Sequence, residues 1–131
     1  MKFIPKTVVL LLLISAGQNA AAEELVVEFQ GTGNRTTATF EVQAPWILDW
    51  RIISDYKQMI SFDLDLVDGT TGVLEGNIMN IKALQYGRNG VRMFNQGGKF
   101  RFRVNGSFVK WHFKVIELTR AEAEQYTPAD D

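Results

Sequence analysis

The chain has 131 residues, 46% of them hydrophobic and 22% charged, with no cysteine and Lys+Arg 14 set against Asp+Glu 15. That is room for one domain with an ordinary hydrophobic core. It excludes a multidomain enzyme, a cysteine-ligated zinc module, a disulfide scaffold and a chain disordered throughout. The near balance of charge gives no bulk signal for nucleic acid, and no nucleic-acid motif is present.

Residues 1–22 read as a secretory signal peptide. Lys2 and Lys6 supply the positive start, Val8 to Ile14 form a short apolar run, and Ala20-Ala21-Ala22 offers the small residues a cleavage site requires, which makes Glu23 the expected mature N-terminus. The run is less than half of the ~20 apolar residues a spanning helix needs, so no transmembrane segment is expected after cleavage. The predicted location is periplasmic or secreted, where disulfides could form but none is available to this chain.

From residue 23 onward, apolar and polar residues alternate in short runs. Leu25, Val27 and Phe29 come first, then Gly31-Thr32-Gly33-Asn34 breaks the pattern. Ala38, Phe40 and Val42 lead to Pro45, and Trp46, Leu48, Trp50 and Ile52 follow. Phe62, Leu64 and Leu66 alternate with Asp63 and Asp65 before Asp68-Gly69, and 77–85 and 90–94 read as less regular strands. Phe100, Phe102 and Val104 alternate with Lys99, Arg101 and Arg103; Val109, Trp111, Phe113 and Val115 alternate with Lys110, His112 and Lys114.

A period of two with β-branched and aromatic enrichment is the pattern of strands buried on one face. Seven to eight short antiparallel strands spaced about ten residues apart predict an all-β sandwich or jelly roll over residues 23–117. Asn105-Gly106 between two such runs predicts a tight hairpin, because a type I′ turn needs positive φ at both central residues. Only Thr119–Gln125 has helical character, within an acidic tail over 118–131 that is expected to be mobile. The tryptophans share faces with aliphatic residues and read as core rather than as sugar-stacking platforms. Tyr56, Tyr86 and Tyr126 fall at or near loops and are better placed for contacts.

The charge is unevenly distributed. Residues 23–75 carry ten acids against three bases, whereas 76–116 carry eight bases and no acid. Cross-strand pairing absorbs such charges, with Asp63 and Asp65 opposite Arg101 and Arg103 as a natural arrangement. The sharper alternative is a basic hairpin face of Lys99, Arg101, Arg103, Lys110, His112 and Lys114 that attracts an anionic ligand: a lipid headgroup, an acidic polysaccharide or an acidic protein of the envelope.

Catalytic signals are weak. The single histidine, His112, projects outward between two lysines, no cysteine nucleophile exists, and no nucleophile-elbow motif is present, so a non-catalytic protein is expected. Asp63, Asp65 and Asp68 place carboxylates at a strand-to-loop junction, the donor set Ca²⁺ prefers, although the EF-hand spacing is not met. A calcium-dependent carbohydrate- or envelope-binding module is therefore an alternative. A secreted inhibitor-type protein working through a loop such as Tyr86–Asn89 is another, as is plain turn chemistry for Asp68-Gly69.

Phe29-Gln30-Gly31-Thr32-Gly33, Thr36–Val42 and Trp46-Ile47-Leu48-Asp49-Trp50, with Gly97–Val104 and Trp111–Val115, resemble a pattern of small exported bacterial β-sandwich proteins of unassigned function. The resemblance spans roughly residues 29–116. It implies a compact sandwich outside the cytoplasm and brings no catalytic residues with it.

Overall fold

The computed structural model describes residues 23–54, 60–84 and 86–126. The segment 1–22, read from sequence as a signal peptide, lies outside the described residues, as do Tyr56 and residues 127–131. The strands are β1 (Glu24–Thr32), β2 (Arg35–Thr36), β3 (Phe40–Val42), β4 (Trp46–Ser54), β5 (Ile60–Asp68), β6 (Leu74–Leu84), β7 (Gly87–Phe94), β8 (Gly98–Asn105) and β9 (Val109–Glu117), followed by helix α1 (Arg120–Tyr126). They form two antiparallel sheets, β1-β9-β4-β7 and β2-β8-β5-β6, with β3 also paired to β8. The protein is an all-β sandwich, as the alternation predicts.

The inner faces meet in one aromatic-rich core. Trp46, Leu48 and Ile52 of β4 and Trp111, Phe113 and Val115 of β9 face Phe62 and Leu64 of β5 and Phe100, Phe102 and Val104 of β8. Phe102 meets Phe113 edge-on across the two sheets at 5.5 Å between ring centroids. All three tryptophans contribute to this core. Trp46 and Trp111 are buried, and Trp50 packs from the margin, where its ring fills the space a side chain at Gly90 would need.

One expectation is corrected. β8 and β9 are not a hairpin within a sheet, because they belong to opposite sheets. Their inner faces both carry large aromatic residues. A sandwich buries more of that surface by setting them face to face than side by side. The chain between them crosses the core edge: the Gly106 amide donates to Asn34 Oδ1 at 2.7 Å, and Val109 N–H donates to the Gly106 carbonyl at 3.2 Å. The positive φ falls on Phe108 (65°), not on Asn105 or Gly106. Gly106 is needed for close approach instead, since a Cβ there would lie 2.7 Å from Phe62.

β2 and β3 share one edge of β8 and leave a gap in the ladder at 37–39. Thr37 closes it. Its amide donates to the Phe102 carbonyl at 2.9 Å, and its hydroxyl accepts from Phe102 N–H at 3.0 Å while donating to the Ala38 carbonyl. Thr37→Val keeps the shape but leaves a buried N–H without an acceptor. We expect a loss of about 1–3 kcal/mol in denaturant unfolding, against little change for Thr37→Ser.

The chain beyond β9 is not a free tail over 118–126. Leu118 is buried and donates its amide to the Pro45 carbonyl at 3.0 Å. Thr119 and Glu122 form a reciprocal capping box, each backbone N–H donating to the other's side-chain oxygen. The Tyr126 hydroxyl donates to Glu23 at 2.9 Å, which ties the helix end to the start of β1. Ile47 projects from the outer face of its sheet yet is only 2% exposed.

Candidate functional site

The sandwich topology divides the six basic residues expected on one face into two groups. Lys99, Arg101 and Arg103 project from the outer face of the β8 sheet, whereas Lys110, His112 and Lys114 project from the outer face of the β9 sheet, on the other side of the molecule. A single hairpin face does not exist.

On the β8 side, the charges are engaged. Lys99 stands opposite Glu41 in register. Arg101 donates to Thr39 Oγ1 at 3.0 Å and to the Gly69 carbonyl at 2.9 Å. Arg103 pairs with Asp65 at 3.1 Å. The expected cross-strand pairing is therefore present for Asp65 and Arg103. Asp63 faces Asn105 instead, and Arg101 faces Val67.

The three aspartates, read from sequence as a calcium donor set, are not gathered into one cluster. Asp63 and Asp65 are bridged by the Asn77 amide, which donates to both at 3.0 and 2.8 Å, and Asn80 donates to Asp63 at 2.8 Å. Asp68 lies farther along β5, where its Oδ1 accepts from the amides of Thr70 and Thr71 at 2.8 Å each. Among the described residues no group of three or more His, Cys, Asp or Glu side chains comes together as a metal site. The Asp68-Gly69 stretch is turn chemistry.

The amides of Thr71 and Thr70 hold the Asp68 carboxyl below the usual carboxylate range. A lowered folded-state pKa contributes stability above the unfolded value, and the contribution disappears as pH falls through the lowered one. The stability advantage of the protein over Asp68→Asn should therefore be largest near neutral pH and shrink in acid below the usual carboxylate range. Urea unfolding of both proteins across that range tests it; an advantage independent of pH would contradict it.

On the β9 side, the register places four strands side by side. One cross-strand row reads Gln30, His112, Arg51 and Asn89; the next reads Thr32, Lys110, Ile53 and Gly87. Neither row holds an acid, and together they gather Arg51, Lys110 and His112. The row behind them is mixed, with Lys114 between Glu28 and Asp49, and Glu28 reaches forward to bond the His112 ring. Gln30, Thr32, Arg51, Ile53, Lys110 and His112 surround a shallow depression of about 520 Å³.

The far end of these rows is closed by backbone. Ser54 N–H donates to the Tyr86 carbonyl at 2.8 Å, Ser54 stands opposite Val109, and Gly33 N–H donates to the Val109 carbonyl at 2.9 Å. Tyr86 and Phe108, the residues just before β7 and β9, therefore flank the end of β4, two strand spacings or about 10 Å apart. Both are exposed, as is Ile53 between them, at 65%, 60% and 54%. Both aromatic residues also have positive φ, 66° and 65°.

Arg51 was not among the sequence candidates. Alternation places it outward on β4, but nothing in the sequence makes β4 the neighbour of β9. Tyr86, by contrast, is a contact candidate from its place near a loop.

A second concavity, of about 590 Å³, lies where β6 and β7 diverge, walled by Leu66, Ile78, Phe94 and Phe100. Arg92 spans it, donating to the Ile78 carbonyl with its guanidinium 5.4 Å from the centre of the Phe94 ring. Its charge already joins the two sheets.

A scan against family models and a search of the curated proteins find no match. The class is set by the fold itself, an antiparallel β-sandwich whose β9 sheet carries Arg51, Lys110 and His112 in two adjacent cross-strand rows.

Proposed function

We propose that the protein is an exported, non-catalytic binding domain that recognises an anionic ligand or envelope component through the outer face of the β9 sheet. The observation that carries this reading is the pair of cross-strand rows that gather Arg51, Lys110 and His112 with no acid among them. Arg51 and Lys110 stand on adjacent strands, and an anion placed over that surface is attracted by both. On the opposite face, Arg101 and Arg103 are bonded to Thr39, Gly69 and Asp65. The non-catalytic reading rests on the sequence, which has one histidine, no cysteine and no nucleophile-elbow motif. Export rests on the leader pattern, and a mature mass beginning at Glu23 tests it.

The binding test compares the two faces. Arg51→Glu with Lys110→Glu should abolish retention on a sulfated anionic matrix at low salt, with the circular-dichroism melt retained. Lys99→Glu, on the other face beside Glu41, should leave retention unchanged. Equal losses from both variants would show bulk charge to be responsible rather than this face.

A further inference from the structure

We infer that the cavity between β6 and β7 is a second binding site, separate from the β9 face, and that it takes a monocarboxylate with an apolar body. The apolar body lies among Leu66, Ile78, Phe94 and Phe100, and the carboxylate meets Arg92. Gly76 is what opens the cavity. It stands opposite Leu66 in the β5–β6 register, so a side chain there would point inward between the sheets. At Gly31, Gly90 and Gly106 the space beside the backbone is filled by the rings of Trp111, Trp50 and Phe62. At Gly76, beyond its own chain neighbours, no atom comes within 4 Å of where a Cβ would be. Protein interiors close such gaps as a rule, because a wall with nothing against it forfeits its dispersion contacts. The space left here, about 590 Å³, is of the size that small-molecule sites have.

Arg92 supplies the charge. It stands opposite Leu48 in register and so points inward from β7, where its guanidinium donates to the Ile78 carbonyl and lies 5.4 Å from the centre of the Phe94 ring. Phe94 is in turn stacked on Trp46, which fixes that ring from the core side. A carbonyl and a ring do not neutralise the guanidinium, and among the described residues no carboxylate pairs with it. Its remaining N–H donors keep the fork geometry that fits a carboxylate. Glu75, beside Gly76 on the rim, limits the ligand to one acid group. It lies three residues, or about 10 Å, along β6 from Ile78, so a second carboxylate at the far end of the ligand would meet its charge. The cavity sits where β4 begins and β5 ends, at the opposite end of the sheets from Ser54 and Leu84.

The test is isothermal titration of the protein, isolated from an exporting host, with octanoate, octan-1-ol and suberate, which share a chain length and differ in charge. Octanoate should bind, and the alcohol and the dicarboxylate should bind about tenfold more weakly. Gly76→Phe, which fills the space, should abolish octanoate binding while melting no lower than the parent, because phenylalanine suits a strand better than glycine. Gly76→Leu makes the same test with a smaller filling. Arg92→Gln should weaken octanoate about tenfold and erase its advantage over octan-1-ol, and Arg92→Lys should recover part of both. Arg51→Glu with Lys110→Glu should leave octanoate binding unchanged, so this site and the β9 face stand or fall separately. Absence of octanoate binding by the parent, or undiminished binding by the folded Gly76 variants, would overturn the cavity as the site. Loss of octanoate binding in the Arg51 and Lys110 double variant would also overturn it. Parent-like affinity in Arg92→Gln would overturn the carboxylate as the group recognised.

Discussion

Trp46→Ala is expected to cost about 3–5 kcal/mol, enough to remove much of the stability of a domain of this size. Trp46 is 0% exposed. Its ring stacks on Phe94 with centroids 4.2 Å apart and planes 12° from parallel, and lies 6.0 Å from both Phe40 and Phe100. Its indole N–H donates to the Gln96 carbonyl at 3.0 Å, so truncation both opens a large cavity and strands a backbone acceptor. The loss falls on residues from both sheets, which cannot collapse inward together without breaking a ladder. Equilibrium unfolding in urea checks this. Trp46→Phe should recover roughly half of the difference, because it restores the stacking but not the hydrogen bond. A loss below about 1 kcal/mol for Trp46→Ala would mean that the core relaxes around the cavity.

Gly31→Ala is the second large effect, and it comes from adding a single methyl. A Cβ at Gly31 would lie 2.4 Å from Cζ2 and 2.6 Å from Cη2 of Trp111. The ring is not free to move away. Its Nε1–H donates to the Gly33 carbonyl at 3.0 Å, and its face is stacked on Phe113 at 4.9 Å. Either β1 shifts away from β9 or the indole gives up its hydrogen bond, and we expect a cost of about 1–3 kcal/mol by overpacking. Gly76→Ala is the control. Gly76 has open space around its Cβ direction and no positive φ, so its replacement should change the unfolding midpoint little. If the two alanine variants melt alike, the contact between Gly31 and Trp111 is not what requires glycine in β1.

The surface of the β9 sheet shows why the site was only partly legible. Alternation alone put Lys110, His112 and Lys114 outward, and the structure agrees. It does not say which strand lies beside them, so Arg51 is not legible as their neighbour and Lys99, Arg101 and Arg103 read as part of the same face. The partner of His112 shows the same gap. In sequence its nearest charges are two lysines, whereas in space Glu28 of β1 bonds its ring. Phe108 is illegible for a different reason: Asn105-Gly106 is the stronger turn signal, yet the positive φ falls two residues later.

What the sequence determined by itself was local. Period-two alternation requires strands with one buried face, and this marked Trp46, Leu48, Phe102, Phe113 and Val115 as core. Thr119-Arg120-Ala121-Glu122 carried a short helix whose cap is built from residues three apart. Asp68-Gly69 carried its own turn. What only the tertiary structure decided was long-range: which strands share a sheet, that β8 and β9 face each other across the core, and which charges meet. The physical reason is that strand pairing is made by backbone hydrogen bonds, which are the same for any sequence in register. The choice among pairings is made by how much apolar surface the whole chain can bury at once. That quantity belongs to no single strand, and with it goes the location of the basic end.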